Sequence, residues 1–443
     1  MKKATTKKLL YYLGLLFIMA SLHCKIVDDI FDDGPNDPGT TSGLTVGDTL
    51  WIHESPVKDS MFMSSTLAIG KNGDIYYAAS GTSYKWVPAR IFALKQNDGS
   101  LRWMSGELDH SSGISSPIVV GDDGTVYVIG YYTLYAMDPN TGGFKWTWEV
   151  PNELPYPDNP DAKFYTKGQI GALALTDDGN LILGSVGSGV YSRAIYGIDK
   201  NGNRIYYNNK AVEGGVFSGI YIGKNNMAYY YTNQNGKPAL IAVNAATGAI
   251  VWTLEISTHL TGINNIAILD NGNLFCAFRK VGESMVTNHI INGSNGSFLW
   301  SGTSRSNGNR KWIGPNGQFY EYDNGINLVN AASGEKSLIV GCEFGAITEN
   351  NRLVTAFTDA DRIRKLGVFL PDGLMDYNVW MTGLTGNDIA ISNDYSIYAI
   401  VNLHPSSYLP TEICAIKGES SLAKSGWPRT FHDNRNTSNI DKQ

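Results

Sequence analysis

Charge is scarce in this chain of 443 residues, where Asp, Glu, Lys and Arg together make up 17%. That level excludes the charge-laced helical bundles and the long like-charged tails that hold many partners. Lysine and arginine form no cluster and the formal net charge is −6, a poor match for nucleic acid or an anionic membrane surface. The four cysteines form no CxxC or CxxCH pair, which removes the usual zinc and covalent-haem frameworks. Cys276, Cys342 and Cys414 lie in strand-like runs and read as small buried hydrophobes. The seven histidines are scattered singly. No HExxH, His-x-His or GxSxG constellation exists. Asp359 and Asp361, in FTDADR, offer too few oxygen ligands for a calcium loop, and read as a polar hairpin tip. Long apolar runs are absent except for the 14 residues from Leu9 to Leu22, short of the ~20 that span a bilayer.

That run follows a basic start and fits the core of a signal peptide over residues 1–23. Cys24 comes next and resembles the lipid-attachment cysteine of bacterial lipoproteins, although His23 stands where that family prefers a small residue. Removal of the leader, with its four lysines and no acid, leaves a net charge of −10. Residues 24–43, rich in Asp, Pro and Gly, bury little and read as a disordered tether. The expected address is export to the periplasm or cell surface, with a lipid on Cys24 as the only attachment to the outer membrane.

From residue 44 onward, 49 glycines and 25 tyrosines in the whole chain mark aromatic strands joined by tight turns. One marker is an Asn/Asp-Gly-type turn between two short apolar strands, as in KNGDIYY, DDGTVYV, DDGNLIL and DNGNLFC. It recurs eight times at roughly 45-residue spacing. A second marker is a turn glycine followed four residues later by an aromatic: Gly99 with Trp103, Gly142 with Trp146, Gly202 with Tyr206, Gly248 with Trp252, and Gly296 with Trp300. It weakens at Gly334 with Leu338 and returns at Gly373 with Tyr377. Two hairpins per unit make four strands, the composition of a propeller blade. The last unit lacks its glycine-spaced aromatic strand, and VGDTLWIHE supplies one at the other end, with Gly47 four residues before Trp51. The expected fold is therefore all-β: an eight-bladed β-propeller of four-stranded blades over residues 44–443, its ring closed by the N-terminal strand.

The phrases LYAMDPNTGGFKW and LIAVNAATGAIVW resemble the PQQ-like (quinoprotein-type) propeller repeat, written YALD-x-x-TG-x-x-x-W. GWPRTFHDNRNTSN resembles a WP-x-F-x-x-D-x-x-N-T-G signature that borders such propellers in secreted bacterial proteins. The resemblance implies the fold and leaves function open, since the family holds enzymes, assembly scaffolds and binding modules. Its dehydrogenases stack a quinone on a tryptophan and hold calcium with acidic and amide side chains. The vicinal cysteine pair often seen in them is missing here, and the body is short. PQQ and calcium are accordingly not favoured. The repeat tryptophans read as packing between neighbouring blades.

Departures from the repeat are where binding is sought. Residues 151–167, PNELPYPDNPDAKFYTK, carry Tyr156, Phe164 and Tyr165 beside prolines. Residues 82–90 carry Tyr84 and Trp86, and residues 402–412 carry Tyr408. The last two segments join second and third strands of their blades and so belong to one face. The expectation is a monomeric, non-catalytic binding or scaffolding module for an envelope protein or polysaccharide. The alternatives are a PQQ-dependent dehydrogenase and, by analogy to the propeller lipoprotein of the barrel-assembly machinery, an outer-membrane protein assembly factor.

Overall fold

The computed structural model describes residues 44–443 except 58–61, 64–65, 82–86, 110–113, 115–116, 157–158, 166–168, 187–192, 211–215, 217–218, 235, 260–265, 307–309, 332, 359–363, 380–383, 402–411, 430–431, 434–435, 440 and 443. Eight antiparallel sheets follow one another in chain order, and an extra two-stranded hairpin lies between the second and third. Each blade has an inner, second, third and outer strand. Blade 2 is representative: Val119–Val120, Val126–Ile129, Thr133–Met137 and Phe144–Glu149. Blades 1 and 5 split the inner strand into two short pieces that both pair with the second.

The ring closes as the repeats require. Thr49–Glu54 pairs antiparallel with Glu412–Lys417, placing Trp51 opposite Ala415 as the outer strand of blade 8. Cys276 and Cys414 are free and buried, and Cys342 opens the inner strand of blade 7. Asp359 and Asp361 lie outside the described residues. No helix among the described residues is long and apolar enough to cross a membrane.

The Gly-x-x-x-Trp phrase works between blades, not within one. Trp103, Trp146 and Trp252 each lie opposite an alanine of the third strand, after a register shift that bulges the outer strand. The small partner leaves room for the indole, which reaches over the turn glycine of the next blade. A Cβ on Gly142 would stand 2.4 Å from Trp103, one on Gly202 2.8 Å from Trp146, and one on Gly296 2.8 Å from Trp252. These glycines also hold positive φ, so both backbone and space require glycine there. Each indole N–H then donates to a carbonyl in that same turn: Trp51 to Gln96, Trp103 to Pro139, Trp146 to Lys200 and Trp252 to Gly293, all at 2.8–2.9 Å. At the seam between blades 3 and 4 Tyr206 takes the same place, covering Gly248 and donating to Ala245.

Blade 6 breaks this rule. Its outer strand shifts register so that Ile326 faces Val340 and Asn327 faces Leu338. Leu338 is 62% exposed, and Ile339 approaches Gly373 of blade 7 instead. The four-residue spacing therefore picks the wrong residue here, because a bulge displaces the strand by one position.

Candidate functional site

Antiparallel connectivity sorts the loops to two ends of the ring. Turns between inner and second strands, and between third and outer strands, share one end. Loops from second to third strand, and crossings to the next blade, share the other. The segments between Ser80 and Arg90 and between Val401 and Glu412 both fall in the second class, as does the insertion between Glu149 and Gln169.

The turn end is occupied by the C-terminal segment, residues 418–442. Trp427 and Ile313 of blade 6 exchange backbone hydrogen bonds of 2.8 and 3.0 Å, while Ile347 of blade 7 donates to Pro428 and accepts from Ala423. Leu175 of blade 3 donates to Thr437 and Ile222 of blade 4 to Ser438. Asn436 Nδ2 lies 3.0 Å from the carbonyls of both Leu67 in blade 1 and Ile118 in blade 2. Gly426 donates to Asp270 of blade 5, and Leu422 packs with Ile389 and Ile391 of blade 8. All eight blades are thus tied to one segment. Trp427 and Arg429 are fully buried in it, and Arg429 Nη2 donates to Leu67 at 3.1 Å. Gly426 holds φ +76°, and a Cβ there would lie 2.4 Å from the Ile313 carbonyl. The WP-x-F signature is therefore a clasp, built from the only residue type that lets the chain approach that closely.

The loop end is organised at the boundary of blades 2 and 3. Blade 2 turns through Tyr131 and Tyr132, whose rings meet edge to face at 4.4 Å. Both are half-buried. Asp109, from the crossing out of blade 1, caps the turn: its carboxylate accepts from the amides of Tyr131 at 3.1 Å and Tyr132 at 3.5 Å, and from Thr133 Oγ1 at 2.7 Å. Partial burial, with Tyr132 beside it, pushes the Tyr131 hydroxyl above its ordinary pKa. Val150 donates to the Tyr132 carbonyl and Ile170 to that of Tyr131. The tyrosine pair thus sits between the two roots of the insertion.

The insertion itself is a hairpin, Glu153–Tyr156 against Asn159–Tyr165, pairing Glu153 with Tyr165 and Leu154 with Phe164. Its first strand is anchored: Leu154 is buried among blade 2 and blade 3 residues, and the Pro155 carbonyl accepts from Tyr207 at 2.7 Å. Tyr156, Phe164 and Tyr165 are placed by their backbone alone, in these two strands. Cys24, Tyr84, Trp86 and Tyr408 lie outside the described residues. Tyr131, Tyr132 and Asp109 were not singled out by the sequence, where GYYT looks like an ordinary strand start. The usable signal is a pair of tyrosines in a tight turn.

A third polar group lies inside the ring between blades 5 and 6. Lys311 and Glu321, both fully buried, pair at 2.5 Å. Asn288 and Ser306 also donate to Glu321, at 2.9 and 2.8 Å. Although burial opposes ionisation, the Lys311 ammonium and these donors hold the Glu321 carboxyl down to about 2. Nearby His289 is buried against Phe278, and burial lowers it to about 4. With no exposure, this group reads as packing polarity. Among the described residues no three His, Cys, Asp or Glu side chains converge on a cation site.

Residues 87–181, from just before the third strand of blade 1 to the start of the second strand of blade 3, match the family model described as outer membrane protein assembly factor BamB. The match covers 95 of the 443 residues, and the chain as a whole folds as an eight-bladed β-propeller. This propeller resembles a europium-containing methanol dehydrogenase, with TM-score 0.60 and 10% identity over 84% of this chain and 93% of that one. BamB from Moraxella catarrhalis aligns over 80% of this chain and 83% of its own at 13% identity, with TM-score 0.39. At 10% identity the likeness to the methanol dehydrogenase speaks for the fold alone. No curated protein matches the chain.

Proposed function

We propose that this propeller is a non-catalytic scaffolding module of the cell envelope that binds a protein partner at its loop end. The observation that carries the reading is the convergence of Tyr131, Tyr132 and the 151–167 hairpin, all within the stretch that matches the assembly-factor model. A regular repeat spends its residues on blade packing, so binding surface arises where the chain leaves the repeat. Aromatics held on a capped turn present apolar area with little conformational entropy to lose. The leader and Cys24 fit delivery to the periplasm or cell surface with a lipid anchor on the outer membrane.

The test is capture from envelope extract with the full-length protein and with a variant lacking residues 151–167. Recovery of one membrane protein by the first and not the second supports the reading. Equal recovery by both removes the hairpin from the site, and turnover of an alcohol or sugar with added quinone and calcium makes the protein an enzyme instead.

A further inference from the structure

The rim of the ring gathers exposed apolar surface at the seam between blades 6 and 7. On the outer strands of blades 1–4 and 8 the exposed apolar residues reach at most 49%. Leu338 on the outer strand of blade 6 is 62% exposed, and Leu374, at the entry to the outer strand of blade 7, is 64% exposed with Met375 beside it at 43%. Single exposed leucines are ordinary, but a contiguous patch is informative.

These three residues form one patch. Ile339 packs inward on the core of blade 6 and lies against Gly373, where an added Cβ would stand 2.6 Å from the Ile339 carbonyl. Leu338 and Leu374 each adjoin that contact in the chain, so the seam brings them side by side. The register shift that sets Leu338 opposite Asn327 is what turns it outward.

Charge on the flanks is one-sided. Lys336 reaches inward to Glu321 and Asp323, and Arg352 takes Asp376 at 2.9 Å. Two exposed carboxylates are left, Glu335 before Leu338 and Asp372 before Leu374. The first meets Ser333 and the second the Leu374 amide, and neither pairs with a cation among the described residues.

An apolar patch with uncompensated carboxylates beside it is complementary to a segment carrying aliphatic side chains on one face and lysine or arginine next to them. A second copy of this chain fits poorly, because a two-fold contact through the patch sets its acids against their own counterparts. We propose that the rim at blades 6 and 7 binds a basic amphipathic segment of a protein partner, at a place separate from the loop end.

The probe is a synthetic amphipathic helix of about 14 residues, leucine on one face and lysine on the other. Fluorescence anisotropy with the full-length protein compares it with its leucine–glutamate counterpart. The lysine peptide is expected to bind saturably, at least roughly tenfold more tightly than the other. Leu338→Asn with Leu374→Asn, at exposed positions, is expected to weaken it roughly tenfold with the melting temperature unchanged. Glu335→Gln with Asp372→Asn retains acceptors for both hydrogen bonds and is expected to narrow the preference for lysine severalfold at low salt. The variant lacking residues 151–167 is expected to bind the peptide as the parent does, so failure here leaves the loop-end reading standing. No saturation up to roughly 1 mM, equal binding of the two peptides, or binding abolished by that deletion overturns the proposal. Binding indifferent to the leucine or the acid substitutions does so too. A dimer in sedimentation that the leucine substitutions dissolve makes a second copy the occupant, and overturns it as well.

Discussion

The two ends of the ring obey different rules. At the turn end glycines lie under indoles of the neighbouring blade, and one clasp reaches all eight blades. At the loop end stand a turn capped from another blade by Asp109 and a hairpin with no counterpart among the described residues. The first pattern spends sequence on holding shape and the second on departing from it. The seam between blades 6 and 7 sharpens the contrast. It lacks an aromatic over the next glycine, and it is there that the clasp forms paired backbone bonds to Ile313 and Ile347. The clasp thus reinforces the ring where the repeat fails.

Changes at the turn end are therefore expected to act on stability. Trp427→Ala has the largest effect, because a fully buried indole leaves a cavity worth about 3–5 kcal/mol. Urea unfolding is expected to show a large fall in midpoint. Proteolysis is expected to cut first near blades 6 and 7, and cutting elsewhere would refute the reinforcement.

Acid comes next. His289 has its pKa lowered to about 4 by burial, against 6.5 in the unfolded chain. Between those values the unfolded state binds more protons, so stability is full above pH 6.5 and falls as pH drops toward 4, by roughly 3 kcal/mol in all. Glu321, held at about 2 against 4.5, extends the loss below pH 4.5 in the same direction. Unfolding midpoints at neutral pH and near the His289 value measure this, and His289→Gln is expected to flatten the upper part of the curve.

Trp146→Ala is expected to cost about 2 kcal/mol, less than Trp427→Ala, because its indole is only half-buried. The smallest stability effect belongs to the loop end. Tyr131→Ala with Tyr132→Ala is expected to change unfolding by about 1 kcal/mol while abolishing partner capture. A double variant that unfolds as readily as Trp427→Ala makes the pair structural and dissolves the contrast.

Much of the turn end was legible in the sequence because its rules are local. A glycine with positive φ and an aromatic four residues later can be counted, and Trp51 showed how the ring shuts. That Trp146 clamps Gly202 rather than its own Gly142 could not be read, since that contact joins units 56 residues apart. At blade 6 the spacing pointed to Leu338, and a one-residue bulge handed the role to Ile339. The clasp was recognisable as a signature, but its bonds run through backbone carbonyls of distant blades, which no side-chain pattern announces. Composition drew attention to the insertion. It passed over Tyr131 and Tyr132, whose importance comes from what brackets them in space.

Site-specific photo-crosslinking in intact cells tests the central claim most directly, with the reactive side chain placed at position 132 on the loop end or at position 271, an exposed turn-end residue. A discrete protein adduct from position 132 and none from position 271 is the expected result. An adduct from position 271 alone, or polysaccharide in place of protein at position 132, would contradict the account.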